Sequence, residues 1–185
     1  TPQLSDKSIF PYFGRTYPSD ELTGIALVET LVHFGWANFA VIHVVDAYAN
    51  AFVSVMQNRI LMLETDTLTL VLAATFNYGD AAGVRTAVRN AKETGVNIVI
   101  TIVFDVDWEP MLDEAEKQSM LTSRFAWIST DLLQSVTPSI TSDPPRFARL
   151  LQGFLVIGPQ WGVSVGYQRF AQAWSNLTPT DCQRP

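Results

Sequence analysis

The sequence predicts an α/β fold, a three-layer sandwich in which a mainly parallel sheet carries helices on both faces. Two runs of strand length, 38–45 (NFAVIHVV) and 97–104 (NIVITIVF), are almost continuously β-branched or aromatic. Strands covered on both faces have that composition. Segments with apolar residues at helical spacing separate such runs, and no hairpin turn signal joins one run to the next. Strand, helix, strand in that order requires right-handed crossovers between parallel strands. Ligands of such sheets bind beyond the carboxyl ends of the strands.

The elements follow in order. Residues 10–17, punctuated by Pro11 and Pro18, read as a short extended segment. Ser19 or Asp20 caps the first helix, whose positions Ile25, Val28, Leu31, Val32 and Phe34 keep helical spacing, and Gly35 suits its end. After the strand 38–45 come a helix over 49–63 and a strand over 68–76. The helix 83–94 gathers Val84, Ala87, Val88 and Ala91 on one stripe, keeps Arg85, Arg89 and Lys92 off it, and stops at Gly95. The strand 97–104 leads into a helix over 107–121, with Trp108, Met111, Leu112 and Ala115 at i, i+3, i+4 and i+7. Its acids Asp107 and Glu109 fall in the first turn, where the helix dipole favours them. A fourth strand spans 125–129. Residues 133–146, rich in Ser, Thr and Pro, form a loop with room for one helical turn. An apolar strand at 153–157 and a helix over 165–174, with Tyr167, Phe170, Ala171 and Trp174 on one face, complete the chain.

Composition narrows the function. In 185 residues, 48% are hydrophobic and 16% charged, which describes a folded chain able to bury a sizeable core. The net charge of −6 opposes binding to nucleic acid or to an anionic membrane surface, since both need a basic face. No apolar run approaches the ~20 residues of a spanning helix. Thr1 opens directly into a polar loop without a leader signature, as in a fragment of a longer protein. The single cysteine, Cys182, has no partner within the chain.

Catalytic and metal chemistry finds little support. His33 and His43 have no Cys or second His at ligand spacing, and no Gly-rich phosphate loop is present, so no metal or cofactor is expected. Residues 162–166 (GVSVG) match the G-x-S-x-G of a nucleophile elbow at Ser164, yet no His follows in the chain to complete a triad. A serine hydrolase therefore stands as the weakest reading. Asp105 and Asp107 follow the third strand at the edge where ligands bind. Helix capping by Asp107 and solvation of Asp105 account for them without catalysis. Asn176-Leu177-Thr178 is a glycosylation sequon, weakened by Pro179.

One stretch carries more information than these patterns. Residues 4–20 (LSDKSIFPYFGRTYPSD) run on through a long apolar helix to Phe34-Gly35-Trp36, a buried-type strand and the turn Asp46-Ala47-Tyr48. This order resembles the extracellular ligand-binding region shared by natriuretic-peptide receptors, class C G-protein-coupled receptors and glutamate-receptor amino-terminal domains. The resemblance implies a type I periplasmic-binding-protein, or Venus-flytrap, lobe. It further implies division into 1–35 (the end of lobe 1), 36–152 (the body of lobe 2, with 151–153 as return strand) and 153–185 (return strand and helix towards lobe 1). The remainder of lobe 1 lies outside the chain.

The implied function is that of a receptor ectodomain at the outer face of a membrane. It would bind an amino-acid-like or other small molecule by lobe closure and signal as a dimer in the full receptor; a periplasmic-type solute-binding protein for transport is the alternative. Single residues carry over by resemblance. Tyr48, in the turn with Asp46, would face the ligand and offer its ring to an ammonium group. Asp131, in Trp127-Ile128-Ser129-Thr130-Asp131, would pair with a ligand amine. Phe104 and Asp105 flank the same edge. Ala49 replaces the family's usual Gly and the family's polar turn has become Val45 and Ala47, departures that count against an amino-acid ligand and leave peptides, other small molecules or no ligand open. Cys182 stands where the family often places a disulfide cysteine, whose partner would lie beyond this chain.

Overall fold

The structure, a computed structural model, describes residues 4, 6–14, 19–63, 68–130, 133, 141–159, 162 and 164–177. In chain order the elements are α1 (Asp20–His33), β1 (Asn38–Val44), α2 (Ala47–Met62), β2 (Thr69–Phe76), α3 (Ala81–Glu93) and β3 (Ile98–Ile102). A 3-10 turn at Asp105–Asp107 precedes α4 (Trp108–Lys117), and β4 (Ala126–Thr130), α5 (Pro144–Leu150), β5 (Leu155–Ile157) and α6 (Val165–Ser175) follow. The strands form one sheet in the order β2-β1-β3-β4-β5, every pairing parallel. The expected fold class is therefore present. The chain runs outward from β1 to β2 and then crosses to β3, so the winding reverses between β1 and β3. α1 packs on α2, α3 on α4, and α4 on α5. Right-handed crossovers put these two groups on opposite faces of the sheet.

Local chemistry explains each element. The Ser19 side chain caps α1, accepting from Glu21 N–H. At its other end Trp36 N–H bonds to Leu31 O at 2.9 Å and Gly35 N–H to Val32 O at 3.1 Å, with Gly35 at φ +65°. That is the Schellman arrangement, whose left-handed position glycine takes without the steric cost of a Cβ. Leu27, Val28 and Leu31 are fully buried in the same core as β1. Val32 and Phe34, expected to join them, are 46% and 54% exposed. β1 is buried from Phe39 to Val44, as its composition requires. β2 is an edge strand, and its alternate residues reach solvent. The α3 stripe of Val84, Ala87, Val88 and Ala91 and the α4 stripe of Trp108, Met111, Leu112 and Ala115 are all buried. Each large side chain removed from water in this way contributes about 1.5–3 kcal/mol.

Four expectations need correction. Residues 7–12 turn rather than extend, with Phe10 N–H on Asp6 O at 2.8 Å; 15–18 lie outside the described residues. α4 ends at Lys117, because Gln118 is its C-cap and Ser119 takes a φ of 55°. The Ser/Thr/Pro-rich loop gives way to a true helix, α5, since Asp143 caps it by accepting from Arg146 N–H and Pro144 fits its first position. Residues 151–153 form a turn with Gly153 at φ +89°, and the strand starts only at Leu155. α5 is held on α4 by Arg146, which donates to Asp113 Oδ1 and Glu116 Oε2, both at 2.6 Å. Glu109 Oε1 accepts from the Thr141 and Ser142 hydroxyls, at 3.0 and 2.8 Å, and their hydrogen bonds, the Ser142 one foremost, hold its carboxyl below its ordinary range.

Candidate functional site

The carboxyl ends of the strands gather short turns whose residues meet one another. After β1, Asp46 caps α2, its Oδ1 accepting from Ala49 N–H at 2.7 Å. Capping places Tyr48 in the first turn of α2, half-buried, with its ring 5.0 Å from Phe52 and 6.3 Å from Phe104. After β2, Asp80 N–H closes a four-residue turn on Asn77 O at 3.0 Å. Gly79 holds its third position at φ +76°, which a type II turn demands. Asp80 then caps α3 through Ala82 and Gly83 N–H.

After β3, Phe104 leads into the 3-10 turn, where Asp105 Oδ1 accepts from Val106 N–H at 2.8 Å and from the Tyr78 hydroxyl at 3.2 Å. The Tyr78 and Phe104 rings meet edge to face at 6.0 Å. Tyr48, Phe104 and Tyr78 thus make an aromatic arc across the turns of β1, β3 and β2, at the point where the winding reverses. Tyr78 and Asp105 are exposed; the hydrogen bond to Asp105 raises the Tyr78 hydroxyl above its usual pKa.

Asp107 departs most from its expected role. It precedes α4 yet makes no side-chain bond to that helix. It is fully buried, and its Oδ1 accepts from Gly79 N–H at 3.0 Å. Burial raises its pKa, the Gly79 bond opposes that, and the Asp105 and Asp80 charges add to the rise. Among the described residues, four buried polar atoms lack a hydrogen-bond partner: Asp107 Oδ2, Trp108 Nε1, Ser129 Oγ and Thr130 Oγ1. Asp107, Ser129 and Thr130 lie at or beyond the carboxyl ends of β3 and β4, whereas the ring of Trp108, on α4, packs 6.0 Å from Phe154. Orphaned polar groups are costly, which sets the first three apart from the rest of the core.

The expected site residues divide accordingly. The structure brings Tyr48, Phe104 and Asp105 together and adds Tyr78, which sequence reasoning missed. The signal was the Asn77-Tyr78-Gly79-Asp80 turn at the end of a strand. Asp46 is committed to its cap through one oxygen. Asp131 lies outside the described residues, as do Thr178 of the sequon and Cys182; Asn176 is the exposed C-cap of α6. Ser164 is the N-cap of α6, its Oγ accepting from Tyr167 N–H at 3.0 Å, which accounts for the serine without nucleophilic chemistry. His43 is buried in β1 with Nδ1 3.0 Å from Val44 O, and burial lowers its pKa. At the opposite, amino end of the sheet a separate groove is lined by Leu121, Thr122, Gln152 and Phe154. Among the described residues, no group of acids, His or Cys could hold a metal ion and no helix is long and apolar enough to cross a membrane.

A five-stranded parallel sheet flanked by helices, wound in both directions from β1, is consistent with a lobe of the periplasmic-binding-protein type. The model of the receptor family ligand binding region matches residues 1–184, and the chain belongs to that family of ligand-binding regions. Over 93% of its length the chain is similar to glutamate receptor 3.4 of Arabidopsis thaliana, at 27% identity and covering 18% of that receptor. It is 21% identical to gamma-aminobutyric acid type B receptor subunit 1 of Mus musculus, across 84% of the chain and 16% of that subunit. A shorter match, 44% over 45 residues, covers 24% of the chain and 4% of the probable metabotropic glutamate receptor mgl-1 of Caenorhabditis elegans. The chain therefore spans about a fifth of the length of the first of these relatives.

Proposed function

We propose that this chain is the greater part of one lobe of an extracellular receptor domain, and that it takes an amine-bearing, amino-acid-like small molecule in a cleft completed by a second lobe. One observation carries the reading. The turns 45–48, 77–80 and 103–107 bring four carboxylates (Asp46, Asp80, Asp105 and Asp107) and three aromatic rings to one edge, with no Lys or Arg in any of them. Such an edge attracts a cation by charge and by ring quadrupole, and repels a free carboxylate. A zwitterionic ligand would accordingly present its ammonium to this lobe and its carboxylate to the other. The names of the relatives, glutamate and gamma-aminobutyric acid receptors, fit such a ligand.

In this reading Tyr48 and Phe104 form the floor, Asp105 and Asp131 contact the amine, and Asp46 holds the turn that presents Tyr48. Burial of Leu27, Val28 and Leu31 in this core supports counting α1 with this lobe rather than dividing the chain at residue 35. The exposed face of α6, with Tyr167, Phe170 and Trp174 at 47%, 56% and 65%, leads towards the other lobe. Closure on the ligand shifts a two-state equilibrium that the rest of a dimeric membrane receptor reads. Calorimetry with L-glutamate and gamma-aminobutyric acid tests this. The chain alone should bind no tighter than about millimolar, near −4 kcal/mol, and the two-lobed domain should gain at least about 100-fold. Micromolar binding to the chain alone, or no gain from the second lobe, would contradict the shared cleft.

A further inference from the structure

Asp107 stands out as a fully buried carboxylate with one oxygen bonded and the other without any partner. An apolar side chain would fill that position without the desolvation cost of a charge. A neutral amide would accept the same N–H. The carboxylate is instead placed where its one bond reaches a different loop. Gly79 belongs to the turn after β2, Asp107 to the turn after β3, and β1 lies between those two strands. The bond therefore ties two turns that the sheet itself does not join.

The residue before Gly79 is Tyr78, whose hydroxyl donates to Asp105 at 3.2 Å and whose ring meets Phe104 at 6.0 Å. Tyr78 is 59% exposed, so packing alone fixes it weakly. We infer that Asp107 is a positioning residue for the binding edge: by accepting from Gly79 N–H it holds the β2–α3 turn against the β3–α4 turn, and so stands Tyr78 beside Asp105 as a wall of the cleft. The inference rests on the proposed cleft and adds Tyr78 to it as a ligand-facing ring. The turn chemistry agrees. Gly79 keeps a φ of +76° that other residues adopt only with strain, and Asp80 fixes the exit of the turn by capping α3. The charged groups facing Asp107 are Asp105 on its own turn and Asp80 on the opposing one.

The test uses the whole chain, tetramethylammonium chloride as a cation probe, and the ring and amide signals of Tyr48, Tyr78 and Gly79 in NMR spectra. In the unsubstituted chain both tyrosine rings should shift with the probe. The Gly79 amide and the Tyr78 ring should also titrate together with the Asp107 carboxyl, at a pKa above the ordinary Asp range. Asp107→Ala should abolish the Tyr78 response and speed Gly79 amide exchange at least tenfold while Tyr48 still responds. Asp107→Asn, which keeps an acceptor, should restore both. An alanine variant with an unchanged Tyr78 response, or an asparagine variant that behaves like alanine, would overturn the assignment. Should both variants fail to fold, the titration of the unsubstituted chain decides: Gly79 and Tyr78 signals indifferent to the Asp107 carboxyl would overturn it. A Tyr48 response without a Tyr78 response refutes this inference alone, whereas no aromatic response refutes the cleft as well.

Discussion

Replacing Asp46 separates two roles that one carboxylate can fill. Its Oδ1 accepts from Ala49 N–H at 2.7 Å, so Asp46→Ala leaves one of the first N–H groups of α2 without that partner. Loss of an N-cap costs about 1 kcal/mol, within a range of roughly 0.5–2. The lost negative charge at a helix N-terminus adds about 0.3–1 kcal/mol. Together these place Asp46→Ala at about 1–2 kcal/mol of destabilisation. For a chain of this size that lowers the thermal midpoint by roughly 2–8 °C, at about 2–4 °C per kcal/mol. Asp46→Asn keeps the cap and loses only the charge, so it should lie within about 1 kcal/mol of the unsubstituted chain. Urea unfolding followed by circular dichroism reads both values. Equal losses in the two variants would refute capping as the role of this side chain and return Asp46 to the list of direct ligand contacts.

Three further outcomes follow from the same structure. Trp108 is fully buried, so Trp108→Ala should cost about 3–5 kcal/mol in urea unfolding, and a loss under 1 kcal/mol would show that α4 is not packed as described. His43 is held below its ordinary pKa by burial, so its neutral form belongs to the folded state. The unfolded chain takes up that proton first: the contribution is complete above about pH 6.5 and is lost as pH falls towards the folded pKa. His43→Gln should therefore show a flatter loss of stability from pH 7 to pH 5, and identical slopes would contradict this. Ser164 serves as a helix cap, so a fluorophosphonate probe should leave it unlabelled; covalent labelling at Ser164 would reopen hydrolase chemistry.

The framework was legible in the sequence because its signals are local. Continuous β-branched runs gave β1 and β3, and helical stripes gave α3 and α4 residue by residue. Gly35 and Gly95 marked helix ends because both take positive φ. Other features depend on contacts that no local pattern encodes. Val32 and Phe34 keep helical spacing yet face solvent, since the face an element buries is set by its neighbours rather than by its own period. α5 was hidden by its Pro and Ser content, although Asp143-Pro144-Pro145 is a good helix entry once Arg146 has partners on α4. Tyr48, Phe104 and Asp105 were named as candidates by resemblance and by position after a strand, and the structure sets the Tyr48 and Phe104 rings 6.3 Å apart. Tyr78 and the true partner of Asp107 were not, because the two turns are 28 residues apart in the chain and meet only through the parallel crossover.

The central claim is that ligand binds the aromatic, acidic edge where the winding of the sheet reverses. Titrating the isotopically labelled chain with L-glutamate and mapping amide shifts tests it most directly. The account predicts weak binding with shifts confined to residues 45–49, 77–80, 104–107 and 129–131. Shifts concentrated instead at the amino end of the sheet, around Leu121, Thr122 and Gln152, would contradict it.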